Sequence, residues 1–264
     1  MFHTIKQGTL EYLTADALTG SIHCFSTRFG GVSEGHLASL NLGTHRGDAP
    51  ENVYENYRIL GAAVGFAPEQ TVFTKQEHTD TILRVGKANC GTGLLREQTV
   101  VCDGLVTDEP GVALCCFGAD CTTILLFDPV TGALGAVHSG WRGTAMGIAA
   151  KAVAAMTREF GSRPSDIRAA IGPCIGLCCF EVGPEVPEAM RNALGADAEH
   201  CIEPHGEKAH VDLKGLNRLW LERAGLSEID ICPDCTKCQP ERFWSHRAVG
   251  NHRGSQAAII MRKE

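Results

Sequence analysis

The side chains best suited to chemistry lie in residues 118–143. Cys121 stands just before one apolar run and His138 stands at the end of the next, and the turn-forming sequence Asp-Pro-Val-Thr-Gly separates the two runs at 128–132. These features predict an antiparallel hairpin with Cys121 and His138 at its open end. A thiolate and an imidazole are ligands that zinc prefers, with bonds of about 2.0–2.3 Å, so the pair predicts part of a metal site.

The turn also predicts the register of this hairpin. We expect Phe127 to lie opposite Ala133. Thr122 then faces His138, and Cys121 lies diagonally across from that histidine. Diagonal neighbours in a sheet are roughly 7–8 Å apart at the backbone, which is close enough for two long side chains to converge on one ion.

A catalytic zinc needs a third protein ligand and keeps its fourth position open for water or substrate. His78 is the candidate, because it stands in a polar segment between two predicted strands. Cys121 and His138 also fit a cysteine hydrolase, in which the thiolate is the nucleophile and the imidazole is the base. The residues leave both interpretations open, because a thiolate beside an imidazole serves either role.

The sequence after His138 predicts an anion site. Ser-Gly-Trp-Arg-Gly at 139–143 leads into a helix predicted for residues 145–160, with Thr144 as its cap. The free N–H groups of a helix start attract anions, and Arg142 could add a charge-assisted contact to phosphate. The alternative is that Arg142 forms a structural ion pair and Trp141 packs in the core.

The elements that must position these residues mix strands and helices without strict alternation. Strands are predicted at 22–26, 72–74, 81–85, 104–107, 112–117, 122–127, 133–137, 167–171 and 257–261. Helices are predicted from residue 50 to about 64, at 145–160 and 185–194, and from Asp212 onward. We therefore expect one α/β (α+β) domain over residues 1–264, with mixed sheets covered by helices.

Composition excludes several classes of protein. The chain has 264 residues, of which 44% are hydrophobic and 21% are charged, and its net charge is −7. Proteins that grip phosphate backbones usually have a basic surplus, so we expect no nucleic-acid partner. The apolar stretches are far shorter than the roughly 20 residues of a membrane helix, and no signal-peptide pattern begins the chain. We therefore expect a cytoplasmic protein without a membrane partner, in which most of the 13 cysteines are thiols.

The order of several short motifs resembles a known family. The motifs are TRFGGVS at 27–33, LNLG at 40–43, KQEH at 75–78, GADC at 118–121, VHSGWRG at 137–143, IGPCIG at 171–176 and CFEVG at 179–183. They span a core of about residues 20–262. The chain resembles the family first described as multicopper polyphenol oxidases, or laccase-like proteins, and later assigned as purine nucleoside phosphorylases with adenosine deaminase activity.

The resemblance implies a structure, a metal and an activity. It implies a four-layer α/β/β/α fold and a Zn²⁺ bound by His78, Cys121 and His138. The implied reactions are phosphorolysis of adenosine, inosine and methylthioadenosine and deamination of adenosine. The substrates would be a purine nucleoside and phosphate. The family motifs further imply that Arg28 is catalytic or binds phosphate, that Cys121 is catalytic, and that Asn41 binds substrate.

Some positions depart from the family pattern, and rival functions remain. Thr79, Thr123 and Ser139 replace a common glycine, proline and alanine, which puts substrate preference in doubt. One cysteine and two histidines also suit Cu²⁺, so a copper-dependent polyphenol oxidase is the first alternative. A cysteine hydrolase and a non-enzymatic partner protein are the others. Asp120 and Asp103 are candidates for proton transfer during deamination.

A second cysteine-rich run, C-x2-C-x2-C at 232–238, resembles part of a zinc or iron–sulfur motif. A closed site needs a fourth ligand, for which His246 and Cys201 are candidates. In the family only the Cys-Thr dipeptide at 235–236 is usual, so we expect the flanking cysteines to be incidental. The cysteines between 174 and 179 are predicted to form a packed turn.

Overall fold

The computed structural model describes residues 1–263. Its strands, numbered in chain order, are β1 (Phe2–Gln7), β2 (Leu10–Ala15), β3 (Ile22–Ser26), β4 (Thr71–Phe73), β5 (Ile82–Arg84), β6 (Gly104–Thr107), β7 (Ala113–Gly118), β8 (Thr122–Phe127), β9 (Leu134–Ser139), β10 (Arg168–Ile171), β11 (Glu181–Val182), β12 (Ile202–His205), β13 (Lys208–Val211), β14 (Glu228–Ile231) and β15 (Gln256–Met261). Its α-helices are α1 (Pro50–Val64), α2 (Trp141–Ala145), α3 (Ile148–Phe160), α4 (Glu185–Leu194), α5 (Leu213–Arg223) and α6 (His246–Val249).

Two six-stranded sheets organise the chain. The first has the order β1-β2-β3-β15-β7-β4, in which β4 runs parallel to β7 and the other neighbours are antiparallel. The second has the order β14-β10-β8-β9-β6-β5, with parallel pairs at both edges and antiparallel pairs inside. A separate three-stranded sheet has the order β11-β13-β12. Both large sheets are mixed, as predicted.

Alternation along the strands gives each large sheet two apolar faces. In β15, Ala258 and Ile260 contact the core between the sheets, whereas Ile259 contacts the core under α1. Strand β8 alternates in the same way between the inter-sheet core and the core under α3 and α5. Side chains of a strand point to opposite faces in turn, so each sheet packs on both sides. The result is an α/β/β/α stack, which confirms the predicted fold.

The β8–β9 hairpin forms, but its predicted register was wrong by one residue. Phe127 pairs with Leu134 instead of Ala133, so every predicted pair moves by one position. The turn explains the shift: the Asp128 N–H donates to the Ala133 carbonyl at 2.9 Å, and Ala133 is taken out of the strand ladder. Both predicted ligands remain at the open end of the hairpin.

The helix predicted for residues 145–160 is interrupted. Helix α2 ends at Ala145 and α3 begins at Ile148. Between them Gly147 has a φ of 70°, a left-handed conformation that ends a helix and that glycine adopts readily. Thr144 therefore lies inside α2, where it is buried, and does not cap a longer helix. No helix within residues 1–263 is both long and apolar enough to span a membrane.

Candidate metal centre and its cleft

Three side chains from separate parts of the chain converge beside the open end of the β8–β9 hairpin. One ligand atom from each of His78, Cys121 and His138 lies within 4.8 Å of the other two. Cys121 Sγ is 3.8 Å from His78 Nε2, and the two imidazole centroids are 5.0 Å apart. Ligand atoms of a tetrahedral zinc lie roughly 3.3–3.8 Å from one another. The structure thus brings the three predicted ligands almost to the spacing that one zinc ion requires.

The tight connection between β7 and β8 aims the Cys121 side chain. Asp120 adopts a φ of 93°, a left-handed conformation that aspartate tolerates better than most residues. Its carboxylate accepts hydrogen bonds from the Thr236 hydroxyl and the Arg247 backbone N–H, both at 2.6 Å. Its carbonyl accepts from the Ile175 N–H at 2.9 Å. These bonds stabilise an unfavourable backbone conformation and so fix the direction of Cys121.

Asp103, which is fully buried just before β6, positions both histidines. Its carboxylate accepts the backbone N–H groups of Glu77, His78 and Thr79 at 3.2, 3.1 and 2.8 Å. These bonds stabilise His78 at its left-handed φ of 61°. The same carboxylate lies 2.8 Å from His138 Nδ1, so Nδ1 donates to it and Nε2 keeps its lone pair for a metal.

The electrostatics of the three ligands favour a bound cation. Burial opposes ionisation of Cys121, but the His138 and His78 imidazoles outweigh it and lower the pKa of the thiol to about 6. Burial also opposes protonation of His138, but the Cys121 thiolate and the Asp103 carboxylate raise the pKa of this imidazole to about 9. At neutral pH the metal-free site therefore holds a thiolate–imidazolium pair, and a metal cation can replace the imidazolium proton.

Gly140 leaves the space beside these ligands open. A Cβ atom at this position would lie 2.7 Å from His78 Cδ2 and 3.2 Å from Cys121 Sγ. The first distance is shorter than any ordinary carbon contact, so a side chain here would push the ligands apart. The residues present thus fit a metal ion in three ways: the donor set, the buried carboxylate behind it and the space left by this glycine.

The ligands line a cleft of about 1100 Å³. Its walls include the aromatic rings of Phe73, Phe117 and Phe180 and the basic side chains of Arg46, Arg247 and Arg253. This volume is slightly above the roughly 300–1,000 Å³ that is typical of small-molecule sites. Apolar rings, a cationic region and a metal-binding trio in one cleft are suited to a ligand that carries a flat base and an anion.

Two arginines make part of the cleft strongly cationic. Arg253 is 9% exposed. Its Nη1 donates to the Gly254 carbonyl at 2.9 Å, whereas its Nε has no hydrogen-bond partner within residues 1–263. Burial and the nearby Arg46 charge lower the pKa of Arg253 to about 10. Two neighbouring guanidinium groups repel each other, so an anion bound between them relieves the repulsion.

Arg28 is placed outside the cleft lining. Its guanidinium donates to the Ala38 carbonyl at 3.2 and 2.8 Å and to the Pro240 carbonyl at 2.8 Å, and it stacks 3.9 Å from the Trp244 ring centroid. These contacts join two loops. The predicted catalytic or phosphate-binding role of Arg28 stays a prediction.

Asn41 and Arg142 also lie outside the lining. The buried Asn41 amide accepts from the Gly43 and Ser255 backbone N–H groups, and so joins two loops that do line the cleft. The Arg142 guanidinium stacks 4.2 Å from the ring centroid of Trp141. Substrate binding by these two residues stays a prediction.

The sequence-based prediction missed Arg46 and Arg253. Neither stands in a motif whose spacing indicates chemistry, and they are 207 residues apart in numbering (253 minus 46). The loop before β15 and the loop after Leu42 meet through the bond between the Leu42 N–H and the Ser255 carbonyl at 3.0 Å. Such long-range pairing leaves no local signal in the sequence.

Comparison with known proteins finds relatives over nearly the whole chain. A family model described as multi-copper polyphenol oxidoreductase laccase matches residues 22–263. The purine nucleoside phosphorylase YlmD of Geobacillus stearothermophilus is 38% identical over 255 residues, which cover 95% of this chain and 93% of that protein. A purine nucleoside phosphorylase of Bacteroides thetaiotaomicron is 34% identical over 257 residues, covering 96% of this chain and 95% of that one.

Solved structures show the same architecture. The crystal structure of YlmD from Geobacillus stearothermophilus superposes with a TM-score of 0.93 at 36% identity, covering 99% of both chains. The crystal structure of the Bacillus licheniformis protein YfiH also gives a TM-score of 0.93, at 33% identity, covering 98% of this chain and 99% of that one. Both the sequence match and the fold extend over nearly the whole chain. The chain therefore belongs to the multi-copper polyphenol oxidoreductase laccase family.

Proposed function

We propose that this protein is a zinc-dependent purine nucleoside phosphorylase with adenosine deaminase activity. It would convert adenosine, inosine or methylthioadenosine and phosphate into the free base and ribose 1-phosphate. The observation that carries the proposal is the meeting of a His-Cys-His metal centre and two arginines in one cleft. Relatives named purine nucleoside phosphorylase support it. The unpaired cysteines of the described chain fit the reducing cytoplasm.

The metal would be held by His78, Cys121 and His138. Three protein ligands leave one coordination position free, and a bound Zn²⁺ supplies Lewis acidity toward a water or substrate oxygen. Asp103 holds both histidines in place through its five hydrogen bonds. The chain therefore presents a rigid, preorganised ligand set.

Phosphate would bind at Arg46 and Arg253. In phosphorolysis a phosphate oxygen forms a bond to C1′ of the ribose while the bond from C1′ to the base nitrogen breaks, and the base leaves with the electron pair. Two guanidinium groups would partly neutralise the negative charge of the incoming phosphate and orient its oxygens toward C1′. The unpartnered Nε of Arg253 gives this anion a buried donor.

The purine base would lie along the aromatic wall of the cleft. Phe117 and Phe180 are half-buried and line it. Stacking on such rings recognises the flat face of any base, which fits an enzyme that accepts several nucleosides.

For deamination, Glu77 is the group we assign to proton transfer. Asp103 is engaged by buried N–H donors, and both Asp120 carboxylate oxygens accept hydrogen bonds. Glu77 is exposed, lines the cleft and directly precedes His78. A carboxylate beside the metal is the acid–base group that zinc deaminases use. Glu77→Gln is expected to abolish inosine formation from adenosine, and unchanged deamination would remove Glu77 from this role.

Copper-dependent phenol oxidation is the second candidate, and the donor set supports it. Two histidines and one cysteine also form electron-transfer copper sites, which carry a weak axial ligand, commonly methionine. No methionine lines the cleft within the described residues. The other groups in residues 1–263 that could hold a metal are four cysteines and the Glu181–His205–His210 group. Neither provides the set of histidines that oxygen reduction at several coppers needs.

The decisive experiment incubates the zinc-loaded protein with adenosine, with and without phosphate, and resolves the products. Adenine and ribose 1-phosphate that form only with phosphate support phosphorolysis, and inosine supports deamination. His78→Ala and Cys121→Ser should abolish both while the protein stays folded. Oxygen uptake with phenols and copper, in place of nucleoside turnover, would overturn the proposal. An unchanged activity in Cys121→Ser would exclude both the metal site and a cysteine nucleophile.

Arginine variants test the phosphate site. Arg253→Gln and Arg46→Gln are expected to raise the KM for phosphate by at least about tenfold, because each removes a charge-assisted contact worth about 1.5–3 kcal/mol. The nucleoside KM should change less. Arg142→Gln and Arg28→Gln distinguish this site from the one predicted from sequence. If either variant raises the phosphate KM more than the Arg253 and Arg46 variants do, phosphate binds at that residue instead.

A further inference from the structure

A second group of cysteines gathers away from the His-Cys-His centre. Cys178 and Cys179 precede β11, and Cys235 and Cys238 lie in the loop after β14. The four Sγ atoms all lie within 4.8 Å of one another. The two segments are joined by a parallel bridge between Cys174 and Cys235. The fold thus collects four thiols from residues that are far apart in sequence.

The spacing of these sulfurs matches one tetrahedral ion. Cys238 Sγ is 3.6 Å from Cys178 Sγ and 3.4 Å from Cys179 Sγ. Four sulfurs at about 2.3 Å from a zinc ion lie about 3.8 Å from one another. A disulfide would bring two sulfurs to about 2.05 Å. An iron–sulfur cluster places several atoms between its cysteines and needs a wider arrangement than this.

The surroundings of Cys235 also suit a thiolate. Cys235 is 7% exposed, and its Sγ accepts the Gly176 backbone N–H at 3.2 Å. A Cβ at Gly176 would lie 3.3 Å from Cys178 Sγ, so the glycine permits this close approach. Backbone N–H groups that donate to sulfur stabilise thiolate ligands in metal sites. The other three cysteines are half-buried or exposed, which leaves a path for an ion to enter.

We propose that Cys178, Cys179, Cys235 and Cys238 bind a structural Zn²⁺ as a closed four-sulfur site. Four protein ligands fill the tetrahedral shell, so this ion has no open position for substrate. The cysteine run at 232–238 therefore supplies two of its three cysteines to the site. Cys232 is fully buried in the core between the sheets and lies outside the group, and the missing ligands come from residues 178 and 179.

This zinc would brace one wall of the catalytic cleft. Phe180, which lines the cleft, directly follows Cys179, and the Arg247 guanidinium donates to the Cys179 carbonyl at 3.3 Å. Thr236, next to Cys235, donates to Asp120, which aims the catalytic thiolate. The ion would thus tie together two loops that position the aromatic wall and the Cys121 connection.

Metal analysis of the full-length protein, purified with zinc under reducing conditions, tests the proposal without relying on activity. Wild type is expected to carry two zinc ions per chain. His78→Ala should retain one, and X-ray absorption of this variant should show sulfur ligands at about 2.3 Å and no nitrogen ligands. Cys178→Ser with Cys238→Ser should lose that ion and keep the other. Cys232→Ala, in the same cysteine run, is the matched control and should keep both.

Alkylation of wild-type thiols covers the case in which the double variant fails to fold. Zinc is expected to slow modification of Cys178, Cys179 and Cys238 at least about tenfold relative to chelator-treated protein, because a bound thiolate is unavailable for reaction. The half-buried Cys90 should react equally in both samples. Absence of zinc from His78→Ala, nitrogen ligands in that variant, iron in place of zinc, or a disulfide within the group under reducing conditions would each overturn the proposal.

Discussion

Replacing Asp103 by asparagine removes the carboxylate that positions two of the three proposed metal ligands, with almost no change of shape. One carboxylate oxygen accepts from the His78 N–H and His138 Nδ1, and the other accepts from the Glu77 and Thr79 N–H groups. The amide of asparagine has one oxygen and one NH₂ group. Whichever way it is turned, two N–H donors lose their acceptor and face another donor.

The size of the effect follows from these lost bonds. Each buried donor left without an acceptor costs about 1–3 kcal/mol, so Asp103→Asn is expected to lower the free energy of unfolding by about 2–6 kcal/mol. In one orientation of the asparagine amide, the hydrogen bond donated by the His78 backbone N–H is lost, although this bond stabilises the left-handed φ of His78. Carboxylates that orient metal-binding histidines are typically worth about 10–100-fold in metal affinity, and zinc affinity should fall by that factor.

Two measurements check this prediction. Urea unfolding of the zinc-free protein gives the stability change, and competition with a chromophoric chelator gives the zinc affinity. Asp80→Asn is the matched control, because its carboxylate lies in the same segment but is exposed and pairs with Lys151 on the surface. That variant should differ from wild type by less than about 0.5 kcal/mol. An Asp103→Asn protein with wild-type stability and zinc affinity would refute this positioning role.

Three further outcomes follow from the metal centre. Gly140→Ala is expected to reduce the zinc content of the His-Cys-His site to well below one ion per chain, because the new Cβ would lie 2.7 Å from His78 Cδ2. Gly143→Ala, whose new Cβ would have its nearest contact at 3.3 Å, should bind zinc normally, and elemental analysis of both variants tests this. Zinc affinity should fall about tenfold per pH unit between about pH 9 and pH 6, because protons compete with the metal for His138. Below about pH 6 the affinity should fall more steeply, because Cys121 also takes up a proton. A zinc affinity that stays constant across this range in chelator competition would contradict the assignment. Removal of metal by a strong chelator should abolish nucleoside turnover, and zinc should restore it more fully than copper; recovery with copper alone would favour the oxidase alternative.

The elements nearest the metal centre could be predicted from sequence because their signals are local. The apolar runs around 128–132 indicate a hairpin, and the motifs at 75–78, 118–121 and 137–143 indicate the three proposed ligands, which the fold brings together. The register was wrong by one residue because Asp128 binds the Ala133 carbonyl inside the turn, a detail that composition does not reveal. The β1–β2 hairpin was not predicted, because β1 is mostly exposed and lacks an apolar face.

Features that depend on distant segments could not be predicted. Asp103 meets His78 and His138 because β9 pairs with β6 and the His138 N–H donates to the Asp103 carbonyl at 2.7 Å. Cys178 and Cys235 meet because two loops pair beside β10 and β14. A single sequence contains no record of which loops will be neighbours, so these residues stand out only by type.

The most direct measurement is a zinc-edge anomalous diffraction map of the zinc-loaded protein. We expect a peak within about 2.0–2.3 Å of one atom each of His78, Cys121 and His138, with the fourth position facing the cleft. A map in which no ion lies among these three side chains, in crystals of protein that turns over nucleosides, would contradict the account.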